Sequence, residues 1–311
     1  MEGLPKIVEK QEALCYTFLD SRVGFWRFLS PKTCKEVYRA VLQEKRLSER
    51  GWEASVKMDI RIVVAAHKAY WMPDDPMYLP LHVGRCGRGD IGFSGDDTGE
   101  HISDRNRTYC ELTGLYWAWK NLDAEYVGLV HYRRHFAGKR WGEKRARVIT
   151  QAQLVKRLER CDVLLPQKRH YFIENTYDQY VHAHHAQDLD VTRDILVQSH
   201  PRYVQAFDAC MKRESGHRFN MLVMKREKLE SYCTFLFSVL FELERRLDIA
   251  AYSDYDARVF GFVGERLLDV WLEANDIDYE DIPYVFMEKQ NWLKKGAGFI
   301  RRKLAGGRKR S

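Results

Sequence analysis

The sequence predicts an α/β protein: a mainly parallel central sheet flanked by helices. Three observations carry this. Short β-branched or apolar runs recur at Ile60–Ala66, Tyr126–His131, 161–166 and 219–224, each of the length expected for a buried strand. Stretches of helical periodicity separate them, and strands alternating with helices imply parallel pairing with both sheet faces covered. Polar and basic groups then follow the strands: His67-Lys68, His131-Tyr132-Arg133-Arg134-His135 and Lys168-Arg169-His170. In open α/β sheets ligands bind outside the carboxyl ends of the strands, so this is where a site belongs.

The chain has 311 residues, 45% hydrophobic and 31% charged, which suits a globular protein with a full core. No apolar run reaches about 18 residues, so a transmembrane helix is not expected. The start, MEGLPKIVEKQEALCYTF, lacks the basic opening and unbroken apolar core of a signal peptide. Seven scattered cysteines with no CxxC pair argue for reduced thiols, hence a cytoplasmic protein, and against a disulfide framework or zinc knuckle. The net charge of +7 is a property of one end: eight of the 51 Lys/Arg and no Asp/Glu lie in 291–311, leaving 43 basic against 44 acidic residues. That stretch interleaves Trp292, Leu293, Phe299, Ile300 and Leu304 with cations. It suits an anionic membrane surface, with nucleic acid and a solubilising end as the other readings.

Residues 1–57 read as a helical extension, with Ser30-Pro31 as N-cap and first helical residue of a helix to about Gln43. The main domain spans 58–288 and 289–311 form a basic amphipathic tail. Residues 69–104 are rich in Gly, Pro and Asp and read as a long functional loop. A single helix is expected from 103 or 104 to 121, with Tyr109, Leu112, Tyr116 and Trp119 on one stripe and Glu111 at its flank. Such a stripe is core more often than a sugar platform. Helices are also expected over 150–160, 174–186, 190–199, 201–213, 227–248 and 256–275.

If the three basic strand ends are neighbours, they form a pocket for a pyrophosphate. Arg133 and Arg134 are its main candidates, because guanidinium matches phosphate oxygens bidentately; a solvated basic turn is the alternative. No glycine-rich phosphate loop is present. Asp96-Asp97 can ligate Mg²⁺ or Mn²⁺, or simply form a turn. On the 256–275 helix Arg258, Phe262, Glu265 and Asp269 share a face. Glu265, in an otherwise apolar segment, suits a general base, or an internal ion pair with Arg258 or Arg266. His182, His184 and His185 lack a zinc motif and read as a polar cleft wall. Trp71, Trp117 and Tyr132 can stack on sugars.

The motifs IRIVVAAHK, DDTGEHIS, YCELTGLYWAWKN, YVGLVHYRRHF, DVLLPQKRHY, HRFNMLVMK and RVFGFVGERLLDVWL occur in that order. Over about 58–288 they resemble a bacterial family catalogued as domain of unknown function 4422, found among capsule, exopolysaccharide and O-antigen assembly proteins. The resemblance implies a GT-A-like glycosyltransferase using a nucleotide sugar, a UDP-sugar above all, with UDP-galactofuranose among the candidates. By position, Ala65, Ala66 and His67 would face the nucleotide, joined by Lys68, Asp97, Arg134, Lys168 and Arg169. His131, Tyr132 and Arg133 would replace the Asp-x-Asp common in GT-A folds, which leaves a divalent metal (Mn or Mg) open. Asn220, with His184 and His185, would line the acceptor or sugar, and Glu265, Arg133 and His131 would be catalytic. The expected partners are a nucleotide sugar, a glycan or lipid-linked acceptor and, through 291–311, the inner face of the cytoplasmic membrane; nucleic acid is disfavoured. The rival from another class is a non-catalytic module binding nucleotides or polyanions.

Overall fold

The computed structural model describes residues 58–171 and 174–288; the expected extension over 1–57 and tail over 289–311 lie outside them. The strands are β1 (Ile60–Ala66), β2 (Tyr78–His82), β3 (Ser94–Gly95), β4 (Tyr126–His131), β5 (Arg134–Phe136), β6 (Val163–Pro166), β7 (Arg169–His170), β8 (Ser215–Gly216), β9 (Leu222–Lys225), β10 (Glu280–Ile282) and β11 (Tyr284–Phe286). The α-helices are α1 (Asn106–Tyr109), α2 (Leu112–Asn121), α3 (Gln151–Leu158), α4 (Thr176–Val181), α5 (Ala186–Ser199), α6 (Val204–Lys212), α7 (Arg226–Arg246) and α8 (Val259–Ala274). None of them is long and apolar enough to cross a membrane.

The main sheet runs β10-β6-β9-β4-β1-β2-β3, with β5 and β11 paired beside β4. The β1–β2, β1–β4, β2–β3 and β6–β10 pairs are parallel, as alternation of strand and helix predicts. Strand β9 runs antiparallel to both β4 and β6, and β5 is antiparallel to β4 and to β11. Strand β9 lies between β4 and β6, whose basic ends form one pocket in the sequence reading only as neighbours.

Period-2 alternation gives each strand two faces. Val63, Ala65, Val127, Leu129, Leu222 and Met224 pack under α2, α7 and α8 in one core. Ile62, Val64, Ala66, Val130, Leu164 and Val223 pack with Leu154 and Leu158 of α3 in the other. Helix α2 approaches the sheet closely because Gly114 has no side chain: a β-carbon there would sit 2.8 Å from Val83 Cγ1. The stripe Tyr109, Leu112, Tyr116 and Trp119 is core, as expected, with Trp119 stacked on Phe237 of α7. Thr150 and Gln153 form a capping box at the start of α3.

The predicted single helix over 103–121 is in fact broken. A 3-10 turn (Ser103–Arg105) and α1 end at Cys110, whose backbone sits at φ 53, ψ −130. An L-residue adopts that conformation only under outside constraint. Here Asn106 Nδ2 donates to the Cys110 carbonyl at 2.7 Å, and Arg258 Nε donates to its Sγ at 3.1 Å. The strand predicted to begin at Phe219 likewise starts only at Leu222, because Phe219 and Asn220 adopt φ 79 and 51.

Candidate active site

In β1 and β4, Ala65 stands opposite His131, so both strands end at one edge. Beyond that edge, the first half of α8, the break at Cys110 and the segment before β9 enclose a cavity of about 530 Å³, a volume typical of small-molecule sites. Among the described residues, Arg88, Arg107, Arg133, Arg134, Arg169, Arg218, Arg258 and Arg266 line it, against two carboxylates, Glu111 and Glu265. Arg107 pairs with Asp254, Arg133 with Glu288, Arg218 with Asp269 and Arg266 with Glu265. Arg88, Arg134, Arg169 and Arg258 join no ion pair among the described residues. A concave, partly dry wall of uncompensated guanidinium suits a multiply charged anion.

Arg134 is the most constrained of these cations. Its guanidinium lies 4.5 Å from the Phe219 ring centroid and 5.5 Å from that of Phe286. Its Nε is buried with no hydrogen-bond partner among the described residues. Burial, and after it the charge of Arg133, disfavours its cationic form, so an anion bound here would relieve an electrostatic cost.

Beneath the arginines lies a strained floor. Cys110, Phe219 and Asn220, all with positive φ, meet there, and such strain clusters at functional sites. The Phe219 N–H donates to Glu265 Oε1 at 2.9 Å, and its carbonyl accepts from His131 Nε2 at 2.5 Å. Asn220 Nδ2 donates to Glu111 Oε1 at 2.8 Å and to the Gly261 carbonyl at 3.1 Å. The break at Cys110 turns Glu111 into the cavity. Burial, the dominant cause, holds its carboxyl above the usual carboxylate range, while the Asn220 bond and the charges of Arg258 and Arg134 oppose that shift. A carboxylate with that affinity beside a ligand pocket can take up a proton.

Several sequence expectations are redirected by this geometry. Both ring nitrogens of His131 are occupied, Nε2 by the Phe219 carbonyl and Nδ1 by Arg134 Nη1 at 3.2 Å. In this arrangement the ring orients Arg134, a positioning role beside the catalytic one expected from sequence. Glu265 is held by Phe219 N–H and by Arg266 Nη1 at 3.0 Å, which realises the ion-pair alternative, with Arg266 and not Arg258. Ala65, His67, Tyr132, Arg133, Arg169 and His184 line the cavity. Ala66 does not, because alternation turns it to the opposite core. Lys68 faces Glu288 at 3.8 Å outside the lining. Lys168 donates to Tyr279 OH at 2.7 Å and borders a separate cavity of about 290 Å³, since β9 separates its strand from β4. Asp97 is exposed and outside the lining. Its neighbour Asp96 is buried, accepting from the Gly84 and Arg85 N–H groups and Ser103 Oγ, a loop anchor. Asn220 lies under the floor, while His185 stacks on Tyr252 away from the cavity. Trp71 and Trp117 do not line it either.

For a divalent metal the donor set fits poorly. No group of three or more His, Cys, Asp or Glu suited to a metal occurs among the described residues. The two cavity carboxylates already hold donors. Sequence reasoning missed Glu111, Arg88, Arg218 and Tyr171; only the break at Cys110 aims Glu111 inward, and no local propensity marks that break.

The buried histidines also predict a pH dependence of stability. Burial pushes His131 down to about 3 and His135 to about 4, from about 6.5 in the unfolded chain. Their contribution is complete above about pH 6.5 and is lost as pH falls, each losing about 2 kcal/mol by pH 5. His217 is opposite: despite the opposing effect of burial, bonds to Asp269 and Asp281 raise its proton affinity. Its contribution is complete below about pH 6.5 and fades as pH rises through its folded value. Thermal unfolding from pH 4.5 to 9 should peak near neutrality; a midpoint that keeps rising down to pH 5 would contradict this burial.

A family model described as a domain of unknown function (DUF4422) matches residues 61–276. No curated protein matches the chain significantly. Among solved structures, the WbbM bifunctional glycosyltransferase in its apo form is similar, with 28% identity and a TM-score of 0.70 over 74% of this chain. The match spans 46% of that protein's chain, less than half its length.

Proposed function

The chain belongs to the DUF4422 family, and from that premise we propose that it is a glycosyltransferase moving a sugar from a nucleotide donor to a glycan or lipid-linked acceptor. The observation that carries the reading is the cavity at the carboxyl ends of β1 and β4, lined by eight arginines and two carboxylates. Similarity to a glycosyltransferase structure supports the same reading. The donor is a UDP-sugar, with UDP-galactofuranose among the candidates the resemblance names. The acceptor belongs to surface-polysaccharide assembly.

The diphosphate lies against Arg134, with Arg133, Arg169 and Arg258 around it, so that negative charge growing on the leaving group meets fixed guanidinium. These side chains take the place a metal-binding Asp-x-Asp would fill. His131 holds Arg134 from behind. Tyr132 and Phe262 give the sugar apolar faces. Glu111 is the proton acceptor for the attacking hydroxyl. Glu265 fixes the Phe219 turn, a change from the general-base role its sequence context suggested. The basic 291–311 segment holds the enzyme at an anionic membrane.

The test is UDP release from a panel of UDP-hexoses, including UDP-galactofuranose, with and without oligosaccharide acceptors. Acceptor-dependent UDP release with one donor is expected. UDP binding without turnover across the panel would instead favour a non-catalytic nucleotide-binding module.

A further inference from the structure

The loop between β5 and α3 presents Trp141, which is 78% exposed. It stands in the segment KRWGEKRAR, 139–147, with five cations and one acid. Gly142 beside it has φ +116, and a β-carbon there would meet nothing within 4 Å, so the turn projects into open space. The Arg140 guanidinium lies 5.4 Å from the Trp141 ring centroid. Among the described residues, neither side chain forms a hydrogen bond or ion pair with the body.

This loop is tied to the last described residues. Lys144 Nζ donates to the carbonyls of Met287 and Glu288, at 3.1 and 2.9 Å. The sequence continues there into 289–311, with its eight cations beyond Gln290 and no acid. Glu288 also pairs with Arg133, which lines the cavity. The basic loop, Met287-Glu288 and the cavity therefore meet in one region.

We propose that the 139–147 loop docks on an anionic bilayer, Trp141 entering the interface while Lys139 and Arg140 contact lipid phosphates. Tryptophan settles at headgroup depth, where its ring is half solvated, and adjacent cations gain from anionic lipid. A single tryptophan on a projecting tip suits a planar interface. Nucleic acid is less well matched, since it needs a basic track with several stacking surfaces. Docking here would set the cavity beside the lipid layer, and it does not depend on the transfer reaction itself.

The test uses the full chain with phosphatidylglycerol-containing vesicles whose acyl chains carry bromine. Wild-type tryptophan emission should be quenched, and W141F should lose part of that quenching. K139E/R140E should weaken vesicle binding at least about tenfold. All three proteins should share one unfolding midpoint, since these side chains are exposed. Equal quenching in W141F, or unchanged vesicle affinity in K139E/R140E, overturns the proposal. A charge reversal that abolishes RNA binding but spares vesicle binding would overturn it in favour of a nucleic-acid surface.

Discussion

Replacing Glu111 by glutamine should leave UDP affinity within a few-fold of wild type and lower kcat by about 10²–10⁴, the usual worth of a positioned proton acceptor. The substitution keeps the shape of the side chain and an oxygen able to accept from Asn220 Nδ2, so the floor should hold. What it removes is the group able to take the proton. The pH profile separates this role from a structural one. Because burial raises the Glu111 carboxyl affinity, activity needs pH above an elevated carboxylate value and falls as pH drops through it. That acidic limb should vanish from whatever activity E111Q retains. A wild-type profile at reduced amplitude would mean that Glu111 only shapes the cavity. In E265Q, by contrast, the Phe219 N–H still finds an acceptor, and the acidic limb should remain.

The second large effect is on binding. Arg134→Lys keeps the charge but loses the planar fork and its stacking on Phe219. UDP affinity should fall about tenfold, and Arg134→Ala should cost about a hundredfold, the range for charge-assisted bonds in a partly dry site. UMP should lose less, since it lacks the second phosphate of the diphosphate laid against this cation. Calorimetry of both nucleotides against the three proteins measures it. Equal losses for UDP and UMP would move the diphosphate elsewhere in the cavity.

How far the sequence carries the fold depends on how local each signal is. The strands β1, β4 and β6 announce themselves through β-branched runs, and their parallel pairing with helices follows from alternation. The site's position at the strand ends was legible for the same reason, as were His67, Arg133 and Arg134. Three features were not. The break at Cys110 is held by Asn106 and Arg258, the latter 148 positions away along the chain. The reversed backbone at Phe219 and Asn220 is fastened by His131, Glu265 and Glu111, from three distant elements. The antiparallel insertion of β9 is a pairing choice among strands, which no single strand records. Each is a tertiary constraint overriding a local preference, and these same constraints build the cavity floor. Glu111 was therefore visible only as the flank of an aromatic stripe.

An arginine wall that receives a nucleoside diphosphate should hold it by its phosphates and without a metal. Calorimetric titration of the wild-type protein with UDP, UMP and uridine, in chelator and again with Mn²⁺, addresses this most directly. UDP should bind tighter than UMP, and UMP tighter than uridine, with the UDP step preserved in chelator and weakened by salt. UDP binding no better than uridine, or appearing only with Mn²⁺, would contradict it.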